Sequence, residues 1–87
     1  MTQFDARSVT GPQLRAARAL LGISAAELAR LAKLGVATIK RAEQSAGPTS
    51  MTTANAERVV AVLYEAGVEF IAENGNGAGV RFIRGRN

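Results

Sequence analysis

The 87-residue sequence contains no cysteine and no histidine. Without cysteine, the chain can form neither disulfide bonds nor thiolate-ligated metal sites. The lack of histidine removes most nucleophile–base pairs and most transition-metal sites as well. The seven acidic residues show no clustering in the sequence that would suggest a paired acid and base. We therefore expect a protein that is not an enzyme and that holds no metal ion and no cofactor.

Long apolar runs and aromatic residues are also scarce. No uninterrupted hydrophobic stretch approaches membrane-spanning length, and the N-terminal MTQFDARSV lacks the apolar core of a signal peptide. We therefore expect a cytoplasmic protein with no membrane partner. Aromatic residues make up only 5% of a chain that is 47% hydrophobic, so its core must be aliphatic. A chain of this length forms one small domain, whose stability dimerisation would increase.

Positive charge predominates, but it is distributed unevenly. The formal net charge is +4, and residues 1–47 carry seven basic residues against three acidic ones. Residues 48–73 carry one basic and four acidic residues, whereas residues 74–87 add Arg81, Arg84 and Arg86. This distribution suggests that different surfaces face different partners, the alternative being that the charges only solvate the surface.

Capping residues and helical periodicity predict the first and the last of four helices. The first helix begins at Thr10, which forms a capping-box pattern with Gln13, and it ends at Gly22. The last helix extends from about residue 53 to residue 66, and Gly67 is its expected left-handed stop. Its buried stripe is expected to consist of Ala56, Val59, Val60, Leu63 and Ala66.

Residues 21–43, LGISAAELARLAKLGVATIKRAE, predict two short helices joined by a tight turn. Ser24 can cap the first of them, whose expected buried positions are Leu28, Leu31 and Ala32. The turn falls at residues 33–35, where Gly35 can adopt backbone angles that other residues resist. The second helix begins near Val36. Its expected buried residues are Ile39 and Ala42, and its expected outward residues are Thr38, Lys40 and Arg41. A second helix with a basic exposed face is what insertion into the DNA major groove requires.

The same stretch resembles the lambda-repressor-like, or XRE, family of bacterial and phage regulators. The family pattern is roughly L-S-Q-x-E-L-A-x-x-x-G-[VI]-S-x-x-x-[IV]-x-x-x-E. The residues that match it in register and without gaps are Ile23, Ser24, Glu27, Leu28, Ala29, Leu34, Ile39 and Glu43. Three positions depart from it: Ala25 replaces the usual glutamine, Lys33 stands at the turn glycine, and Gly35 replaces the usual serine cap. The resemblance covers roughly residues 10–66. It implies a mainly α, four-helix lambda-repressor-like helix-turn-helix domain.

The resemblance also implies a function, namely sequence-specific binding of double-stranded DNA by a homodimeric transcriptional regulator. Residues 36–45 would form the recognition helix in the major groove of each half-site. The operator would then be pseudo-palindromic, with its half-sites roughly 34 Å apart. In relatives of this family an arginine of the first helix and the glutamate that ends the third form a partly buried ion pair. Arg18 and Glu43 occupy the matching positions and are therefore expected to be structural.

The expected DNA contacts divide into bases and phosphates. Arg41 is the strongest candidate for reading a base, because a guanidinium can donate two hydrogen bonds to guanine. The residues expected at base edges are Val36, Ala37, Arg41 and Gln44. The residues expected at phosphates are Arg15, Ser24, Ala25, Thr38 and Lys40. Ser24 and Ala25 are included because free amides and the helix dipole attract anions at a helix N-terminus.

A different class of function stays open at this point. The chain could be a protein-interaction adaptor or an antitoxin-like regulator that keeps the fold but reads bases weakly. Val36, Ala37 and the missing glutamine favour that alternative, since they leave the third helix with few polar groups. The positive charge and Arg41 favour DNA.

The two ends of the chain are expected to differ from the helical domain. Residues 1–9 read as a flexible arm, in which Phe4 and Val9 are the residues that could dock locally. Residues 67–87 read as a β-hairpin and a basic tail, with strand-like runs at 68–71 and 80–83 around a glycine-rich connection. The hairpin and the last helix are expected to form the dimer interface through Leu63, Val68, Phe70, Val80 and Phe82. The alternative is a wing that touches DNA through Arg81, Arg84 and Arg86.

Overall fold

In the computed structural model, residues 4–83 are described, and they form a mainly helical fold with a C-terminal antiparallel hairpin. The helices are α1 (Gly11–Leu21), α2 (Ala25–Ala32), α3 (Val36–Glu43) and α4 (Thr53–Ala66), followed by strands β1 (Val68–Ile71) and β2 (Gly79–Phe82). A 3₁₀ turn at Ala6–Ser8 precedes α1. The sequence predicts this architecture, with two differences in element bounds. Helix α3 ends at Glu43 rather than continuing to residue 45, and β2 spans Gly79–Phe82 rather than residues 80–83.

Local capping interactions fix the ends of the helices. The Thr10 hydroxyl accepts a hydrogen bond from the Gln13 amide at 3.2 Å, and the Gln13 side chain accepts one from the Thr10 amide at 3.0 Å. This capping box begins α1, and Gly22 ends it in the left-handed conformation with φ of 69°. Gly67 ends α4 in the same way with φ of 114°. The expected start and stop residues of both helices are confirmed.

The turn between α2 and α3 differs from the expectation. The left-handed residue is Lys33, with φ of 59°, and it is the one non-glycine residue with positive φ within residues 4–83. Gly35 has an ordinary extended backbone, with φ of −72° and ψ of 147°. The prediction that Gly35 supplies the unusual angles is therefore wrong. The left-handed residue lies two positions earlier, at Lys33, because the Lys33 and Leu34 N–H groups both donate hydrogen bonds back to carbonyls of α2.

The core is aliphatic, as the scarcity of aromatic residues requires. Its largest fully buried side chains are Leu14, Leu28, Ile39, Leu63, Val9, Val59 and Val68. Two residues assigned to buried stripes lie outside it: Leu31 of α2 is 46% exposed, and Ala66 of α4 is exposed. Helical spacing places both beside core positions, but no element within residues 4–83 covers that side of the two helices.

Residues 4–9 do not form a flexible arm. Ala6 and Val9 are buried in the core, and the ring of Phe4 lies 5.4 Å from that of Phe70. The Val9 carbonyl accepts a hydrogen bond from the Thr49 amide at 2.8 Å, which ties this segment to the loop after α3. The arm is thus corrected to a docked segment for residues 4–9, and residues 1–3 lie outside the described part of the chain.

The hairpin packs against α1 and α4 of its own chain. Val68 pairs with Phe82, and Phe70 pairs with Val80, so these four side chains share one face as expected. Val68 and Phe70 are buried, as is Leu63 of α4, whereas Phe82 is 46% exposed and Val80 half-buried. Leu63, Val68 and Phe70 therefore belong to the core of a single chain. The expected dimer contact must be corrected at these three positions, because they have no surface to offer a partner.

None of the helices within residues 4–83 has the length and apolar character needed to cross a membrane.

Candidate nucleic-acid interface

The outer face of α3 is an exposed cationic surface. Lys40, Arg41 and the flanking Gln44 are exposed, and so are Ala37 and Val36, the latter at 40%. The opposite face of α3 buries Ile39, Ala42 and Glu43. Thr38 was expected to point outward, but its side chain is half-buried. The helix therefore presents two cations and a side-chain amide on its outer side, and its opposite side packs against the rest of the domain.

A partly buried ion pair holds the C-terminal end of α3. The Arg18 Nε donates to Glu43 Oε2 at 2.6 Å, and its Nη2 donates to Glu43 Oε1 at 2.8 Å. A third hydrogen bond, from Arg18 Nη1 to the Ile23 carbonyl at 3.2 Å, extends the cross-link to the turn before α2. The hydrogen bonds to Glu43 raise the pKa of the Arg18 guanidinium above its ordinary value. The ion pair expected between these residues is present, and it leaves Arg18 unavailable to DNA.

Arg15 also binds the end of α3. Its Nη1 donates to the backbone carbonyl of Glu43, and a cation at a helix C-terminus is favoured by the helix dipole. Arg15 was expected to contact a phosphate, but this hydrogen bond assigns its guanidinium a structural partner within the chain. The residue remains exposed. Sequence periodicity could not reveal the contact, because it depends on how closely α1 approaches α3.

Gly11 explains that close approach. A Cβ atom at this position would lie 2.6 Å from the Glu43 carbonyl oxygen, and closer still to the Ser45 carbonyl. Because a real Cβ atom cannot occupy that space, only glycine lets the start of α1 lie against the end of α3. Gly11, Arg15 and Arg18 therefore form one stripe of α1 that contacts Glu43. The sequence analysis did not identify Gly11, and its only sequence signal is a glycine beside the capping threonine.

The N-terminus of α2 is largely occupied by its own capping box. The Ser24 hydroxyl accepts from the Glu27 amide at 3.0 Å, and the Glu27 carboxylate accepts from the Ser24 amide at 2.8 Å. Ser24 was expected to contact a phosphate, yet both its polar groups already have partners, and a negative carboxylate lies beside them. The amides of Ala25 and Ala26 are the ones that the box does not use. An anion at this helix end can therefore be bound by those two amides and by the hydroxyl hydrogen of Ser24, which the box leaves unused.

The N-terminus of α3 has no side-chain cap. Gly35 occupies the capping position and supplies no hydrogen bond from a side chain. Val36 and Ala37 form the first turn of the helix, so its exposed beginning is apolar and its basic residues lie nearer the other end. A base contact at Val36 or Ala37 would consequently be apolar.

Ion pairing leaves an excess of cations around α2 and α3. Within residues 4–83, three ion pairs form: Asp5 with Arg7, Glu43 with Arg18, and Glu69 with Arg81. The charged side chains of residues 4–47 outside these pairs are the cations Arg15, Arg30, Lys33, Lys40 and Arg41 and the carboxylate Glu27. The first half of the described chain is therefore electropositive after its internal neutralisation.

The hairpin offers less positive charge than its sequence suggests. Arg81 donates to the Glu69 carboxylate at 2.9 Å across the two strands. In the glycine-rich connection, the amides of Gly75 and Gly77 donate to the Glu73 carboxylate. The Arg81 charge is therefore paired within the hairpin, and the two glycine amides already have an acceptor there. Arg84 and Arg86, the other arginines expected in a DNA-binding wing, lie outside the described residues.

Comparison with protein-family models and with curated proteins gives no match to this chain. Within residues 4–83, no three acidic, cysteine or histidine side chains lie together as a metal site would require. The interface is therefore argued below from its own residues.

Proposed function

We propose that this protein binds double-stranded DNA in a sequence-specific manner and acts as a homodimeric transcriptional regulator of the lambda-repressor-like, or XRE, helix-turn-helix class. In this proposal α3 enters the major groove of each half-site of a pseudo-palindromic operator. The observation that carries it is the outer face of α3, where Lys40, Arg41 and Gln44 are exposed while Glu43 is withdrawn into the core. A helix inserted between two phosphate backbones needs this separation of its charges.

The rigidity of α3 is a second support. Base recognition requires a helix whose position is fixed relative to the elements that contact the backbone. Gly11, Arg15 and Arg18 of α1 all contact Glu43, so the end of α3 is held through both its carbonyl and its carboxylate. This arrangement keeps α3 fixed at the surface and leaves its outward side chains for a ligand.

The contacts can be assigned from exposure and chemistry. Arg41 has the geometry to donate two hydrogen bonds to guanine, whereas Lys40 is a point charge suited to a phosphate. Gln44, the residue that caps α3, can reach a base or the backbone. Val36 and Ala37 can pack against thymine methyl groups. The groups at the start of α2 that can bind a phosphate are the amides of Ala25 and Ala26 and the hydroxyl hydrogen of Ser24.

A second candidate function is that of a protein-interaction adaptor, which could include an antitoxin-like regulator. The observation that favours it is the apolar first turn of α3, where Val36 is 40% exposed and Gly35 provides no polar side chain. An adaptor would use this surface for a protein and would bind DNA weakly or not at all.

The experiment that tests DNA binding is a salt titration of the full chain with labelled duplex DNA, followed by fluorescence anisotropy. A dimer that neutralises about six phosphates should give a slope of about −5 for the logarithm of the affinity against the logarithm of the salt concentration. The double variant Lys40→Gln, Arg41→Gln should weaken binding strongly and flatten that slope. A slope near zero for the unmodified protein would exclude the DNA-binding proposal and favour the adaptor.

A charge-matched control separates the α3 face from general positive charge. Arg7→Gln with Arg81→Gln removes the same formal charge from two exposed, ion-paired arginines away from α3. We expect this variant to bind nearly as the unmodified protein does. If it lost as much affinity as the α3 variant, binding would depend on net charge or on a hairpin wing that contacts DNA through Arg81, and the assignment of α3 would be wrong.

A further inference from the structure

The outer edge of β2 is an unpaired strand edge. The Ile83 amide donates to the Gly67 carbonyl at 2.9 Å, so residues 79, 81 and 83 direct their N–H and C=O groups toward β1. Val80 and Phe82 alternate with them along the strand, and their N–H and C=O groups therefore point away from β1. No third strand within residues 4–83 takes up these groups. An edge of this kind can bind another strand through its main chain.

The same edge exposes apolar side chains. Phe82 is 46% exposed and Val80 half-buried, although both lie on the face of the hairpin on which Val68 and Phe70 are buried. An apolar ring at an open edge favours a partner that supplies both a strand and apolar side chains.

We propose that β2 of a second copy of this chain pairs antiparallel with this edge, so that the homodimer contains a continuous four-stranded sheet. This inference rests on the homodimeric part of the proposed function and names its surface. The paired stretch of β2 extends from residue 79 to residue 83, and its midpoint is Arg81. With the two-fold axis at that midpoint, Val80 of each copy exchanges two hydrogen bonds with Phe82 of the other.

This register makes the edge complementary to itself. Each row of side chains across the apolar face of the four-stranded sheet then consists of Val68, Phe82, Val80 and Phe70, the last two from the second copy. The row covers the exposed Phe82 ring and continues the core face from one copy into the other. A shift of two residues would instead place residue 78 opposite Phe82 or residue 84 opposite Val80, and both of those residues lie outside β2.

The charge of Arg81 is neutralised for this pairing. The two Arg81 side chains meet at the axis on the opposite face, and like charges that face each other destabilise paired strands. Each guanidinium, however, donates to Glu69 of its own chain at 2.9 Å, so the row of two glutamates and two arginines carries no net charge. Glu69→Gln should therefore weaken association, and Arg81→Thr added to the same chain should restore it.

The first test is hydrogen exchange of single amides, followed by NMR on the full chain without DNA. Sedimentation equilibrium gives the concentrations at which the chain is monomeric and dimeric. In the dimer the amides of Val80 and Phe82 should exchange at least about tenfold more slowly than in the monomer, because they become hydrogen-bonded. The amides of Arg81 and Ile83 are internal controls, since they bond to β1 in both states.

The second test removes one outward N–H group. Val80→Pro keeps the N–H groups that hold β2 to β1, and proline is tolerated on the free side of an edge strand. The dimer loses two of its four intermolecular hydrogen bonds, so it should dissociate at least about tenfold more readily. Val80→Ala is the matched control, since it shortens the same side chain but keeps the N–H group and should associate more tightly than Val80→Pro. Phe82→Lys places a charge on the same edge and should also prevent pairing. Thermal melts check that each variant keeps the fold.

The proposal is overturned if the unmodified protein is monomeric at concentrations that saturate DNA, or if the dimer forms without protecting the Val80 and Phe82 amides. Equal association of Val80→Pro and Val80→Ala would overturn it as well. A competing surface is the apolar groove between α2 and α4, where Leu31 is 46% exposed. If Leu31→Ser abolished association and the edge variants did not, that groove would be the interface instead. Since association is measured without DNA, failure here leaves the DNA-binding test standing.

Discussion

Arg18 holds both carboxylate oxygens of Glu43, at 2.6 and 2.8 Å, across the interface between α1 and α3. Glu43 ends α3, and its side chain is 8% exposed, against 23% for that of Arg18. The pair therefore joins α1 to the proposed recognition helix, with its carboxylate nearly buried and its guanidinium partly exposed. Its geometry is the bidentate one that an arginine provides and a lysine cannot.

Removing one member of this pair should destabilise the fold. Glu43→Ala leaves the Arg18 guanidinium without its carboxylate, and the loss of one partner of a buried pair costs about 3–5 kcal/mol. The double variant Arg18→Met, Glu43→Met should lose less free energy of unfolding than the single variants Arg18→Met and Glu43→Met lose together, because it leaves no unpaired charge behind. Chemical denaturation measures all of these free energies of unfolding.

The exposed pair Arg81–Glu69 is the matched control for the buried one. Its arginine side chain is 64% exposed, and Glu69→Ala should cost less than about 1 kcal/mol. A denaturation curve of Glu43→Ala that superimposed on that of the unmodified protein would show that the buried pair contributes nothing.

The parts of the fold that the sequence predicts are those set by local interactions. The box of Thr10 with Gln13 and the left-handed stops at Gly22 and Gly67 depend on residues within one helical turn, so the pattern alone identifies them. Leu31 shows the limit of periodicity. Its spacing places it beside core residues, but whether another element covers it depends on tertiary packing.

The candidate site shows the same division between local and tertiary effects. The exposed face of α3 follows from helical spacing, and the Arg18–Glu43 pair follows from the family resemblance. The contact of Arg15 with the Glu43 carbonyl required knowledge of how closely α1 approaches α3, which Gly11 determines. The burial of Val68 likewise depends on where the hairpin docks, and strand alternation does not report that.

Lys33 is expected to cost stability because of its backbone conformation. Its φ of 59° is one that residues with a Cβ atom adopt at a cost of about 1–2 kcal/mol. Lys33→Gly should therefore raise the free energy of unfolding by about 1 kcal/mol, part of the gain being lost to the greater freedom of glycine in the unfolded chain. Lys33→Ala removes the charge but keeps the Cβ atom, so it should give no such gain. Equal stabilities of the two variants in urea denaturation would exclude backbone strain at this turn.

Gln13 is expected to anchor the hairpin to the helical domain. Its side-chain amide donates to the carbonyls of Ile71 and Gly79, at 3.2 and 2.8 Å, while its oxygen caps Thr10. Gln13→Ala leaves these partly buried groups without this partner and should cost about 2–3 kcal/mol, with faster hydrogen exchange of the hairpin amides. Glu27→Ala is the matched control, since Glu27 has the same place in the capping box of α2.

Gln13→Glu gives the Gln13 contact a dependence on pH. The glutamate would keep the cap on Thr10, but its ionised carboxylate would face two carbonyl oxygens, which raises its pKa in the folded state. The folded state then binds the proton more tightly than the unfolded state does. Stability should therefore fall as the pH rises through that raised pKa, and be recovered on acidification. A pH-independent difference from the unmodified protein would contradict the proposed geometry.

Arg41 and Lys40 are adjacent and exposed on α3, yet replacing them should have different effects on DNA binding. Arg41→Ala should reduce the preference for the cognate site by about 1–3 kcal/mol and relax one base position of each half-site. Lys40→Ala should instead weaken binding to every sequence alike and reduce the salt slope by about 1 for each subunit, because it removes a phosphate contact. Selection of binding sites from a random duplex library, repeated for each variant, distinguishes the two results. If the motif selected by Arg41→Ala equals that of the unmodified protein, Arg41 contacts only the backbone, and sequence reading must come from Gln44 and the apolar first turn of α3.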